Sequence, residues 1–197
     1  TFLILGNVCT RNCSFCNVSK GKPSAADADE PRRVAEAAES LGIEYVVVTS
    51  VTRDDLADGG AGIFARTVKE IKLSGKRKCE VLIPDFMGDA DSLKAVIDSS
   101  PDVISHNMET VRRLYPGLRS MADYGRSLNV LKKVKESNPA QMTKSGIMLG
   151  LGETGAEIIE TIKDIAGTGC DFLSIGQYLA PSKASYPVKR HIPAEEF

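Results

Sequence analysis

Three of the five cysteines stand within eight residues, as Cys9, Cys13 and Cys16 in the stretch CTRNCSFC. Thiolates this close on one loop can hold a metal centre by three points. Two centres are compatible, and they differ in what else they need. Structural zinc is closed and four-coordinate, so it asks for a fourth Cys or His. The two histidines, His106 and His191, lie outside the usual zinc spacing. A cubane 4Fe–4S cluster has four irons, so three cysteines leave one iron without a protein ligand. An open iron is a place for a small molecule, which makes the arrangement catalytic rather than structural. Clustered thiols also suit a reducing compartment, so a cytoplasmic location is expected. Cys79 and Cys170 stand apart, each at the mouth of an apolar segment, and read as buried small side chains.

A second candidate lies far down the chain. Gly150-Leu-Gly152-Glu-Thr-Gly155 matches G-x-G-x-x-G, follows a strand pattern and opens a helical one, the layout of a dinucleotide-binding turn. Such a site needs an acidic residue at the end of the next strand, where it reaches a ribose. Asp171 has roughly the right separation but precedes that strand, at the wrong end. The motif also falls in the fifth β/α unit rather than the first. What remains is a glycine turn that lets backbone approach a bound nucleoside, with Glu153 near the helix start favoured by the helix dipole.

The elements that must position these residues are legible as alternating patterns. Strands are expected at Phe2–Val8, Tyr45–Val51, Cys79–Pro84, Val103–His106, Thr143–Leu151 and Phe172–Leu179. The run from Tyr45 to Thr49 is apolar without alternation, which predicts burial on both faces. Helical stripes pass through Val34, Ala38 and Leu41, through Phe64, Val68 and Ile71, and through Leu93, Val96 and Ile97. Two more pass through Tyr124, Leu128, Leu131 and Val134, and through Ile158, Ile162 and Ile165. Leu41-Gly42, Ser74-Gly75 and Gly167-Thr168-Gly169 each place a glycine after a helix.

Strands alternating with helices predict a parallel sheet with right-handed crossovers, either open and doubly wound or rolled into a complete or partial barrel. Both arrangements put chemistry at the carboxyl ends of the strands. The polar, glycine-rich segments fall there in order: Cys9–Cys16, Ser50–Gly60, Asp85–Gly88, Asn107–Thr110, Gly150–Gly155 and Gln177–Ser182. No linker, low-complexity tract or internal repeat interrupts the pattern, so residues 1–197 are expected to form one domain. Lys plus Arg number 25 against 26 Asp plus Glu, which argues against broad binding of nucleic acid or an anionic membrane. Lys76-Arg77-Lys78 reads as a solvated turn, and no apolar run approaches the roughly 20 residues that span a bilayer.

The spacing C-x3-C-x2-C, with Phe15 just before the last cysteine and the first strand just before the loop, resembles the signature of the radical S-adenosylmethionine (SAM) superfamily. The resemblance implies an α/β fold, a partial (β/α)6 TIM-type barrel. It also implies that Cys9, Cys13 and Cys16 hold a 4Fe–4S cluster whose open iron takes the amino and carboxylate groups of SAM. An electron from that cluster cleaves SAM to methionine and a 5′-deoxyadenosyl radical, the hard chemistry belonging to the cofactors. Within the superfamily, TSVTRDDLADGGAGIFA (49–65), VLIPDFMGD (81–89), HNMETVRRLYP (106–116), TKSGIMLGLGET (143–154) and IGQYLAPS (175–182) together resemble the lipoyl synthases. This narrower resemblance runs in order over nearly the whole chain. It implies insertion of two sulfur atoms at C6 and C8 of an octanoyl chain on a lysine of a carrier protein. The carrier is the glycine-cleavage carrier or a lipoyl domain of a 2-oxoacid dehydrogenase, and an electron donor is a further partner. A second, auxiliary 4Fe–4S cluster is implied as the sulfur source.

Carried onto this sequence, the resemblance makes Asn107 and Glu109 a polar pair for the ribose or amino group of SAM. Lys144 and Ser145 are further candidates. Gly150, Gly152 and Glu153 are expected against the adenine, with Gln177 and Tyr178 flanking it. Asp54 and Asp55 either cap a turn before Gly59-Gly60 or serve the site, and Asp85 is equally open. Met148 reads as core. The lipoyl synthases hold the auxiliary cluster with three cysteines of an N-terminal extension and a serine near the C-terminus, and neither segment lies within these residues. Cys79 and Cys170, expected at the opposite rim, cannot substitute. The chain is therefore expected to be part of a longer enzyme, and these 197 residues alone are expected to cleave SAM without completing sulfur insertion. The alternatives are a short relative with another radical reaction, such as a biotin synthase-like one, and a non-catalytic iron–sulfur or zinc protein.

Overall fold

The computed structural model describes residues 1–73 and 75–197, and six of its strands form one parallel sheet. In chain order the strands are β1 (Phe2–Ile4), β2 (Val8–Cys9), β3 (Ser19–Lys20), β4 (Tyr45–Ser50), β5 (Lys78–Leu82), β6 (Val103–Ser105), β7 (Met142–Leu149) and β8 (Phe172–Gln177). Strands β2 and β3 pair only with each other. The large sheet runs β1-β4-β5-β6-β7-β8, with β1 and β8 as its two edges. Strand order that follows chain order is the order of a barrel, whereas a doubly wound sheet reverses direction partway. The fold is a partial (β/α)6 TIM-type barrel.

Six helices accompany the strands: α1 (Glu30–Ser40), α2 (Ala61–Lys72), α3 (Ala90–Asp98), α4 (Tyr115–Leu118), α5 (Tyr124–Ser137) and α6 (Gly155–Gly167). The core lies between the sheet and this outer layer. Val46, Val48, Val81 and Ile104 from the strands meet Phe64, Val68, Ile71 and Val96 from the helices, all almost fully buried. Burying each such side chain is worth roughly 1.5–3 kcal/mol. Leu41 leaves its stripe, since it caps α1 and is exposed. Glycines do end the helices where expected, with φ of 64° at Gly42, 66° at Gly75 and 81° at Gly169. Ser74, read with Gly75 as a stop, lies outside the described residues.

Two strand expectations need correction. The first strand does not continue to Val8 but stops at Ile4, because Leu5 (φ 66°) and Gly6 (φ 89°) turn the chain. Leu5 tolerates this conformation because its N–H donates to Glu30 Oε2 at 2.8 Å and its side chain is buried beside Gly60. Strand β4 is not buried on both faces. Val46 and Val48 point into the core, while Val47 and Thr49 line the interior of the barrel, which the missing β1–β8 pairing leaves open.

Candidate active site

The cysteine loop is pinned to its neighbours before any cofactor is considered. Thr10 N–H donates to Thr52 O at 3.1 Å, Ser14 N–H to Leu118 O at 2.9 Å, and Tyr186 N–H to Ser14 O at 2.8 Å. Phe15 packs on a small cluster of Leu118, Leu151 and Tyr178. Arg11, buried behind the loop, donates to both carboxylate oxygens of Asp54 and of Asp85, and Arg126 reaches Asp85 from α5 at 2.8 Å. The two guanidinium groups hold Asp85 far below the usual carboxylate range even though burial pushes the other way. Asp54 and Asp85 are thus spent on fixing the loop. Asp55 pairs with Arg53, whose NH1 donates to Leu5 O. The turn before α2 is capped by Asp58, which accepts from Gly60 N and Gly62 N, and not by Asp54 or Asp55.

Cys9, Cys13 and Cys16 line one cavity of about 180 Å3, which Asn107, Glu109 and Arg119 also face. The donor set suits a cluster of thiolates. Arg11 N–H and Thr52 N–H donate to Cys9 Sγ at 3.4 and 3.3 Å, and Val18 N–H donates to Cys16 Sγ at 3.5 Å. Amide hydrogen bonds to sulfur stabilise thiolate ligands and tune iron–sulfur centres. Among the described residues, no three Cys, His, Asp or Glu side chains converge tightly enough to hold a single metal ion. Burial pushes the Cys13 thiol up, and the Arg119 guanidinium opposes it.

Asn107 and Glu109 reach the cavity through an unusual stretch of backbone. Glu109 takes φ 65° and bridges to β7, donating its N–H to Gly146 O at 2.9 Å and accepting from Met148 N at 2.8 Å. A Cβ at Gly146 would meet Asn107 Oδ1 at 2.8 Å, so the glycine makes room for that amide. Burial raises the Glu109 carboxyl, against the charge of Arg119 and a hydrogen bond from Asn107. Two residues at this cavity were missed in the sequence. Arg119 NH1 donates to Asn107 O, Met108 O and Tyr115 Oη at 3.1, 3.1 and 3.0 Å, while its buried Nε has no partner among the described residues. His106 bonds Ile83 O through Nδ1 at 2.9 Å and leaves a buried Nε2 likewise unpartnered. Burial lowers His106 to a pKa of about 4, so the ring is neutral. Nothing local marked either residue, because their partners come from other turns of the chain.

The remaining candidates are placed elsewhere. Lys144 donates to Glu80 Oε1 at 3.0 Å inside the barrel, below the cysteine cavity. Ser145 alternates to the opposite face of β7 and is fully buried there. The glycine turn is partly covered by the chain's own C-terminal segment, and Gly150, Gly152 and Glu153 also line a second cavity of about 420 Å3 together with Ile192 and Phe197. Lys189 N–H donates to Gly150 O at 2.8 Å, and a Cβ on Gly150 would meet Arg190 O. Gly152 lies under the Lys189 side chain. Glu153 does not answer the α6 dipole. Its carboxylate accepts from Gly150 N and Leu151 N, and Thr154 with Glu157 forms the capping box. Gln177 spends its amide on Tyr178 O, Arg190 O and Ile192 N, and Tyr178 is buried with its hydroxyl on Tyr186 O. Asp171 accepts from Thr143 N at the amino end of the barrel, consistent with setting aside a dinucleotide fingerprint. Met148 faces the interior as well as touching the Tyr178 cluster. Cys79 is core, its thiol pushed up to about 12 chiefly by burial. No helix among the described residues is long and apolar enough to cross a membrane.

Comparison with known proteins bears on the family and the fold. The family model of the radical SAM superfamily matches residues 3–165. Lipoyl synthase of Caldanaerobacter subterraneus subsp. tengcongensis is 57% identical over 197 residues, covering all of this chain and 69% of that protein. Lipoyl synthase of Geotalea uraniireducens is 56% identical over 198 residues, covering all of this chain and 70% of that protein. Among solved structures, SuiB of Streptococcus suis bound to S-adenosylmethionine superposes with a TM-score of 0.74 at 13% identity, over 96% of this chain and 43% of that one. HydG, a maturase of the [FeFe]-hydrogenase, superposes with a TM-score of 0.72 at 18% identity, over 94% of this chain and 45% of that one. The superpositions speak to the fold, and the sequence matches to kinship: this chain belongs to the lipoyl synthase family of the radical SAM superfamily.

Proposed function

We propose that this chain is the SAM-cleaving core of a lipoyl synthase, acting on an octanoyl-lysine of a carrier protein to place sulfur at C6 and C8. The observation that carries the reading is the meeting of three thiols, two of them amide-supported, with Asn107, Glu109 and Arg119 around one cavity that opens into the barrel. Cys9, Cys13 and Cys16 hold the 4Fe–4S cluster. When bound, cluster and SAM together supply the hydrogen-abstracting species.

The chain's own share is positioning. Asn107 and Glu109 offer acceptors to the amino and ribose groups of SAM, and Arg119 offers a clamped cation to its carboxylate. The Arg11–Asp85 pairing keeps the loop rigid under them. Thr49, Leu82, Asn107 and Glu109 line both the cysteine cavity and the interior, so an acyl chain in the interior passes beside the bound nucleoside. The carrier is the glycine-cleavage carrier or a 2-oxoacid dehydrogenase lipoyl domain, served by a separate electron donor. An auxiliary 4Fe–4S cluster would supply the sulfur. Anaerobic reconstitution tests the reading: iron and sulfide should approach four of each per chain, and adding SAM should change the cluster spectrum. Reductant with octanoylated carrier should then yield 5′-deoxyadenosine, and free octanoate should not replace the carrier. Zinc in place of iron, or a spectrum indifferent to SAM, would overturn it.

A further inference from the structure

The interior of the barrel ends on charge. Its upper lining is Thr49, Leu82, Asn107, Gly146 and Met148, which together leave a space of about 430 Å3 with the layer beneath. Gly146 and Gly176 keep the upper part roomy, and a Cβ at Gly176 would meet nothing within 4 Å. One step down the strands the lining changes to Glu80, Ser105 and Lys144. Glu80 is 5% exposed and accepts three hydrogen bonds, from Tyr45 Oη at 2.7 Å, Ser105 Oγ at 2.8 Å and Lys144 Nζ at 3.0 Å. Four different strands meet in that network. Lys144 gives one hydrogen bond to Glu80 and keeps about a third of its side chain open to the cavity.

An interior that only filled space would use apolar side chains here, as barrel layers usually do. A buried carboxylate paired with a half-open ammonium is costly to build, and it changes what the cavity accepts. Each methylene of an acyl chain gains about 0.8 kcal/mol while it displaces water from Leu82 or Met148. A methylene pushed further would strip water from Lys144 and give nothing back, which reverses the sign. Adjacent inward positions along a strand are roughly 7 Å apart, so Ser105 and Asn107 set the depth available.

We propose that Glu80, Lys144 and Ser105 form a polar floor that stops the acyl terminus and thereby sets which carbons lie beside Asn107 and Glu109. They are positioning residues that fix chain length and register. This rests on the acyl-lysine reading of the interior. The floor also explains why Lys144 stands in the interior without reaching the cysteine cavity.

The test uses the cluster-loaded full-length protein and lysyl peptides carrying hexanoyl, octanoyl, decanoyl or dodecanoyl groups, with dissociation constants read by equilibrium binding. The wild type should bind the octanoyl peptide at least tenfold tighter than the decanoyl and dodecanoyl ones. Lys144→Met with Glu80→Gln keeps side-chain volume and the hydrogen bonds of Tyr45 and Ser105. It should shrink that preference to threefold or less, or reverse it. Lys144→Arg, which keeps the charge, should retain the preference and guards against a variant that misfolds. If the wild type binds octanoyl selectively and the neutral-floor variant discriminates equally well, the floor is wrong and the acyl reading stands. If the wild type binds none of the peptides, the acyl reading itself falls. If both charge-keeping and neutral variants lose selectivity alike, packing rather than polarity sets the length, and the proposal is overturned.

Discussion

The cysteine loop and the glycine turn both follow strands at the same rim of the barrel, and both carry residues that bind cofactors in other proteins. They differ in what the protein has already done with their polar groups. At the glycine turn, which lines a cavity of its own, the named backbone groups already have internal partners. Glu153 takes Gly150 N and Leu151 N, Lys189 N takes Gly150 O, and Gln177 holds the covering segment. At the cysteine loop the scaffold is equally tied down, through Arg11, Asp54 and Asp85, but the groups facing the cavity are not. Buried Nε of Arg119 and Nε2 of His106 both lack partners there. A buried polar atom without a partner costs about 1–3 kcal/mol. At a cavity wall such a cost is one that a bound ligand can relieve.

The sharpest way to break this contrast is to remove the thiols. Cys9→Ala with Cys13→Ala and Cys16→Ala should abolish iron incorporation, read as loss of visible absorption and of chelatable iron, while far-ultraviolet circular dichroism stays unchanged. Retained iron would put the cluster elsewhere. Next in size is the support of the loop. Asp85→Ala leaves Arg11 buried without its second carboxylate and should destabilise the fold by about 3–5 kcal/mol in urea unfolding, with iron content falling in step.

The cysteine side has a pH signature. His106 sits near pKa 4 when folded against 6.5 when unfolded, so its neutral form stabilises the fold fully above about pH 6.5. That contribution, about 3 kcal/mol, is lost as pH falls from there toward 4. His106→Gln should flatten the stability profile of the apoprotein over this window, measured as the difference between the two profiles. An unchanged slope would mean the ring is not held neutral. The smallest effect belongs to the satisfied side. Gly150→Ala forces a Cβ toward Arg190 O at φ 96° and should cost about 2 kcal/mol of stability without altering iron content. A selective loss of SAM binding there would return the glycine turn to the cofactor site.

Much of the frame was legible because it is written locally. The core residues Phe64, Val68 and Ile71 follow the period of a helix, and Gly42 and Gly169 end helices for reasons of φ alone. The same local reading misplaced the end of the first strand, because Leu5 turns in response to Glu30, 25 residues away. The resemblance placed Gln177 and Tyr178 beside a nucleoside, and local reading could not show that their polar groups also bond the chain's own C-terminal segment. Asp85 stayed open between a site role and a structural one, because a carboxylate at a rim does not announce that Arg11 and Arg126 will fill it.

What the sequence settled by itself was the alternation of elements, and the clustering of three thiols on the loop after the first strand. Both depend only on neighbours a few positions apart, where backbone geometry fixes distance. Which polar groups are spent and which are left facing a cavity was decided by tertiary structure. Arg119 beside Cys13, and Lys144 against Glu80 rather than at the cysteines, are meetings of residues 64 or more positions apart. Hydrogen bonds and charges act over a few ångströms of space, and only folding turns sequence separation into that distance.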